Sequence, residues 1–131
     1  MDVSKLSSEE VNREIARRRS EFVLNDDETG VYPSGDVGGV LWPIPNYLDW
    51  CRCGLLLEEM LTAASKVARG RAWEIALTAR DGPYHVATSA VWATFGAYCP
   101  GDSPTDAIRR AWLQWDEWGY FDKAASKAAE V

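Results

Sequence analysis

Histidine occurs once in this chain, at His85, and cysteine three times, at Cys51, Cys53 and Cys99. So sparse a set argues against a metal centre. Zinc is held by clustered N and S ligands, and Cys51 and Cys53, two apart on a predicted helix, point to different faces. An odd cysteine count in a reducing compartment reads as free thiols. A hydrolytic triad needs a base beside a nucleophile. Nothing local pairs Cys99 with His85, which falls in a predicted strand as a surface or sheet-packing residue. Nucleophile-elbow, P-loop and dinucleotide motifs are missing, and Gly35 to Gly39 lack the strand–loop–helix setting that gives a glycine-rich loop meaning. No apolar run approaches the ~20 residues of a membrane span, and the first twenty residues lack the apolar core of a secretory signal. The expectation is a cytoplasmic protein with no metal, no cofactor and no catalytic residue, and therefore not an enzyme.

Positive charge is also short. Lys and Arg number 14 against 20 Asp and Glu, a net charge of −6. Tracking phosphates needs the opposite balance, so direct nucleic-acid binding is not expected. The one dense basic run is Arg17-Arg18-Arg19, near Arg13, and the acidic run Asp26-Asp27-Glu28 follows it. It reads first as a solvated helix end before a loop, and second as a patch that captures an anionic ligand.

What is present suffices for a core. Hydrophobic residues make up 47% of the 131, and a chain of this size buries about two-thirds of its unfolded surface. Ser7, Ser8, Glu9 and Glu10 form a capping-box pattern before a helix over 8–19, with acids in its first turn and arginines in its last. A short strand is predicted over Glu21–Leu24. A Gly/Pro-rich loop over 25–46 holds four glycines and three prolines and cannot be helical. Within it, Val40, Leu41 and Trp42 either pin the loop to the core or pair briefly as a strand. A second helix over 47–69, capped by Asp49, carries a stripe of Trp50, Cys53, Leu57, Leu61, Ala64 and Ala68, widened by Leu56, Met60 and Val67.

Alternation of Trp73, Ile75 and Leu77 predicts a strand, Asp81-Gly82 a hairpin turn, and Tyr84–Phe95 one or two further strands. Whether Ser89–Ala93 bends or coils is left open. Ser103, Pro104 and Asp106 announce a last helix, with Asp106 completing a box and Ala107, Ile108, Ala111, Trp112 and Trp115 on its apolar face. Residues 121–131 extend that helix or fray as a tail. The reading is a single α+β domain over 1–120, an α/β/α-type sandwich with a small, mainly antiparallel sheet packed by two or three helices.

The order of elements and two short motifs resemble the phage ABA-sandwich domain family and the related NinX-type accessory proteins. The first motif is Pro45, Tyr47 and Asp49 before the long helix, closer-spaced than in that family. The second is Pro104, Ala107, Ile108 and Leu113 in the last helix. The resemblance implies an α/β/α-layered fold and a phage or prophage origin in a bacterial host cell, and it brings no chemistry.

Seven tryptophans are distributed from Trp42 onward over the glycine/proline loop, the second helix, the predicted strands and the last helix. Trp50, Trp73 and Trp112 read as core. Trp115, Trp118 and Tyr120 are candidates for an oligomer or partner contact, since exposed aromatics recur at interface hot spots. Three binding functions follow. In the leading one, the chain inhibits a host protein or defence nucleoprotein, in the manner of an anti-CRISPR protein. Its acids Asp26, Asp27, Glu28, Asp36, Asp116 and Glu117 would compete for a basic groove beside Trp115, Trp118 and Tyr120. In the second, Tyr32, Trp42 and Tyr47 stack a nucleotide signal whose phosphate meets Arg17, Arg18 and Arg19. The third is a structural or regulatory phage protein.

Overall fold

The structure is a computed structural model, and it describes residues 1–33, 38–68, 74–79, 84–90, 93–95 and 101–129. The expected α+β class is what the chain adopts. After a 3-10 turn (Val3–Lys5), α1 covers Ser8–Arg18 and is followed by β1 (Phe22–Leu24), β2 (Gly30–Pro33) and β3 (Trp42–Pro43). Next come α2 (Trp50–Ala68), β4 (Glu74–Ala79), β5 (Tyr84–Ala90), β6 (Ala93–Phe95), α3 (Pro104–Glu117) and α4 (Tyr120–Ala129). The strands form two antiparallel three-stranded sheets, ordered β1-β2-β3 and β4-β5-β6, instead of one small sheet.

Local chemistry sets most boundaries. Ser7 Oγ accepts the Glu10 N–H while Glu10 Oε1 accepts the Ser7 N–H, a reciprocal box that starts α1. α2 begins at Trp50, three residues later than its pattern suggested. Asn46 Oδ1 accepts the Leu48 N–H and Asp49 Oδ1 accepts the Cys51 N–H, so 46–49 form a turn and Asp49 is the cap. The buried stripe of α2 runs through Cys53, Leu56, Met60 and Ala64. Trp50 lies outside it, 61% exposed, which corrects its reading as core. The stripe is rotated because i, i+3, i+4 spacing from Cys53 leads to Leu56 and Met60, and Trp50 precedes the first turn that faces α3.

The glycine/proline loop is partly sheet. Phe22 pairs with Pro33 and Leu24 with Val31, while Val31 also pairs with Trp42. Gly30 makes the β2–β3 approach possible: a Cβ there would lie 2.6 Å from the Trp42 carbonyl oxygen. Of Val40, Leu41 and Trp42, Trp42 alone pairs in a strand; all three residues are exposed. In the second sheet Ile75 pairs with Thr88, Thr88 with Phe95 and Ala90 with Ala93. Trp73 and the turn at 80–83 lie outside the described residues.

α3 is the centre of the fold, lying against α1, α2, α4, the 3-10 turn, β4 and β5. Every residue from Thr105 to Trp115 is consequently buried, polar ones included. At Gly119 the backbone turns to φ +71, a conformation that favours glycine, and α4 starts anew. Its Phe121 meets Trp112 and Trp115 with ring centroids 5.7 Å apart in both pairs, and Ala124 is buried. The segment 121–129 is thus a separate helix packed on the core, and the core continues past residue 120.

Candidate functional site

Two sets of charged residues, expected to serve rival binding modes, turn out to neutralise each other. Arg17 binds Glu14 and, at 2.6 Å, Glu28. Arg18 reaches Glu14 at 3.0 Å, Asp116 at 3.0 Å and Glu117 at 2.6 Å. Arg19 pairs with Glu21 and Glu59, and its guanidinium lies over the Trp112 ring, 5.8 Å from the centroid. Burial disfavours the charge of Arg18, but its three carboxylates outweigh that and raise its pKa; the Arg18 hydrogen bond lowers that of Glu117. Where they are as open as Arg17 with Glu28, such pairs contribute about 0–1 kcal/mol each. Their main effect is on recognition, because they occupy both the basic patch and much of the acidic face.

The remaining acids divide. Asp27 accepts hydrogen bonds from the Asn25 amide and the Thr29 hydroxyl, so it holds its own loop together. Asp26 is exposed. Asp36 lies outside the described residues. The arginine seam borders a groove of ≈ 670 Å³ between α1, α2, α3 and α4, where Arg19, Glu59, Lys66 and Trp112 mix both signs of charge.

The aromatic candidates divide similarly. Trp115 is 3% exposed, with Tyr120 at 6.1 Å and Phe121 at 5.7 Å between centroids. That burial corrects its assignment to a partner contact; it belongs to the core, as Trp112 was expected to. Trp118 is exposed, and Tyr120 is half-buried against it. Tyr47 is 1% exposed and burial pushes its phenol up to about 12, so it cannot stack a ligand, a second correction. Tyr32 is half-buried. The residues of the nucleotide reading therefore do not converge on one open surface.

An apolar face does form on the first sheet. Trp42 is 56% exposed, flanked by exposed Val40 and Leu41. Beside it is a cleft of ≈ 400 Å³ walled by Phe22, Val31, Trp42, Pro43 and Ile44, with Arg52 at its margin. The sequence hinted at this through the Val40-Leu41-Trp42 run. Its exposure depends on β3 being the outer strand of a sheet assembled from 22–43, which no short-range pattern reveals.

A buried ionic cluster on α3 escaped the sequence reading altogether. Arg109, 1% exposed, donates from Nε to Asp106 at 2.7 Å, from Nη1 to Asn12 Oδ1 at 2.8 Å and from Nη2 to Ser8 Oγ at 2.8 Å. Arg110 donates to Asp106 at 3.1 Å and to the carbonyls of Val3 and Leu6, both at 3.0 Å. Asp106 does not close the expected box: its carboxylate takes the Asp102 N–H at 2.9 Å instead. Asn12 also accepts the Tyr47 N–H at 3.1 Å, which ties α1 to the entrance of α2. The cluster staples the segment 3–12 to α3, and its closed hydrogen bonding makes it structural. The only available signal was two arginines at i+3 and i+4 from an aspartate.

A pH dependence follows. Burial alone would raise the Asp106 pKa, but the Asp102 N–H and both arginines hold it below the ordinary value, so the folded state favours the carboxylate. A depressed folded pKa contributes stability that is present above about pH 4 and lost as pH falls through the folded value. Thermal midpoints should therefore decline as the pH falls below about 4. Asp106→Asn, less stable at neutral pH, should show a shallower decline; an acid limb identical to wild type would remove Asp106 from the account.

Among the described residues no group of three or more His, Cys, Asp or Glu could hold a metal ion, and no helix is long and apolar enough to cross a membrane. Cys53 is buried, its thiol pushed up to about 11, and Cys51 is exposed, on different faces as expected. His85 lies in β5 opposite Thr78; Cys99 is outside the described residues. The fold thus defines a small α+β domain with an exposed aromatic sheet face. No protein-family model, no curated protein and no solved structure matches the chain. The motif residues of the ABA-sandwich resemblance occupy structural positions: Pro45, Tyr47, Ala107, Ile108 and Leu113 are buried, Asp49 caps α2 and Pro104 opens α3.

Proposed function

We propose that this chain is a non-catalytic phage or prophage accessory protein that acts by binding a protein of the bacterial host, with a defence component as its target. The observation that carries the binding reading is Trp42, more than half exposed on a strand held in place by β2. A large apolar ring kept in water has no value for folding, whereas burying it against a partner is favourable. The docking face is therefore the Val40–Trp42 edge and its cleft, in place of an acidic face built from Glu28, Asp116 and Glu117. The nucleotide-sequestering alternative is weaker, since Arg17, Arg18 and Arg19 are engaged with carboxylates and Tyr47 is enclosed.

The test is expression of the chain in defended bacteria, scored by plating of a restricted phage, together with affinity capture of the defence protein. Wild type should restore plating and retain the protein. Trp42→Ala should keep the wild-type circular dichroism and thermal midpoint, yet weaken capture by about tenfold or more, as expected of an interface hot spot. Undiminished capture by Trp42→Ala would show that the docking face lies elsewhere.

A further inference from the structure

Resting on that docking face, we infer that Arg52 sets its specificity, so that the cleft takes a protein segment presenting an apolar side chain beside a carboxylate. Seven of the described lining residues are apolar, Phe22, Val31, Trp42 and Ile44 with three prolines, and Arg52 is the one charged group among them. Its guanidinium lies over the Phe22 ring, 5.7 Å from the centroid. Among the described residues, Arg17, Arg18, Arg19, Arg109 and Arg110 each pair with a carboxylate of the chain, whereas Arg52, like Arg13, has no such pair. In a protein of net charge −6, a cation beside an apolar cleft with no acid partner among the described residues is complementary to an acid brought by the partner. A guanidinium stacked on a ring keeps its in-plane N–H donors available, and their fork matches a carboxylate.

Recognition falls on side chains for a further reason. β3 is an outer strand, but it is two residues long and Pro43 has no N–H to donate. Addition of a partner strand there is poorly supported. The cleft is suited instead to anchoring one apolar side chain, with the neighbouring acid fixing its direction on Arg52.

The experiment is selection of displayed random dodecapeptides on the immobilised full chain, followed by affinities of the synthesised winners. Enriched peptides should carry Asp or Glu within a few residues of an aromatic or aliphatic anchor. Changing that acid to its amide should weaken binding roughly tenfold, the scale of one charge-assisted hydrogen bond. Arg52→Gln should lose the same factor, with the amide peptide then no worse than the acid one. Peptides that depend on Trp42 but ignore both the acid and Arg52 would overturn the role of Arg52 and leave the docking face standing. Peptides indifferent to Trp42, or no enrichment, would overturn both.

Discussion

Replacing Arg109 with alanine is expected to cost about 3–5 kcal/mol of folding stability, against about 1 kcal/mol or less for the same change at Arg17. Both are helix arginines with carboxylate partners, and their surroundings make the difference. The Arg17 side chain is 41% exposed, so water replaces its lost contacts. Arg109 is enclosed, and its removal takes from the buried Asp106 carboxylate one of its two arginine partners and breaks the ties of α3 to Ser8 and Asn12. A domain of ordinary stability, about 5–15 kcal/mol, would lose a large share of it. Urea denaturation of both variants gives the comparison. If Arg109→Ala is too unstable to purify, Arg109→Lys, which keeps the charge but loses the fork, should fall between it and wild type. Equal small losses at Arg109 and Arg17 would mean that the α3 cluster is open to water.

Trp115→Ala is expected to cost about 3–5 kcal/mol, whereas Trp118→Ala, on the same helix end, should change stability by less than about 1 kcal/mol. Trp115 fills the space between α3 and α4 with Tyr120 and Phe121 around it, so truncation leaves a cavity where two helices meet. Trp118 caps α3 in an exposed position, near Tyr120 alone among the described ring contacts. Thermal and urea denaturation, with sedimentation to follow association, distinguish a core ring from an interface ring. A Trp115→Ala chain as stable as wild type but altered in association would restore Trp115 to an interface. These two variants also interpret any loss of function: a defect in Trp115→Ala reports folding, and a defect in Trp42→Ala reports docking.

The elements read correctly in the sequence are those specified by neighbours a few residues apart. Ser7 and Glu10 close their box three residues apart. Ser103 and Pro104 start α3, and alternation around Ile75 anticipates β4, which pairs antiparallel with β5. Such short-range hydrogen bonds and periodicities hold in almost any tertiary setting, so the α+β class, the caps and most helix positions are written in local sequence. The sequence also showed that histidine and cysteine are scarce, with one and three residues.

The site was decided by contacts that no local pattern contains. Arg18 meets Asp116 and Glu117 across 98 and 99 residues of chain, and Arg109 reaches Asn12 across 97. Whether a charge is offered to a partner or consumed internally depends on which helix is delivered beside it, and that follows from packing around α3. The same packing enclosed Tyr47 and Trp115 and left Trp42 and Trp50 in water, although composition treats all four aromatics alike. Periodicity establishes that a helix has an apolar stripe, but the residue at its centre is chosen by the neighbour it meets. That is why α2 turned Leu56 and Met60 inward, and why the face proposed for docking became visible only once β3 had taken its place at the edge of the first sheet.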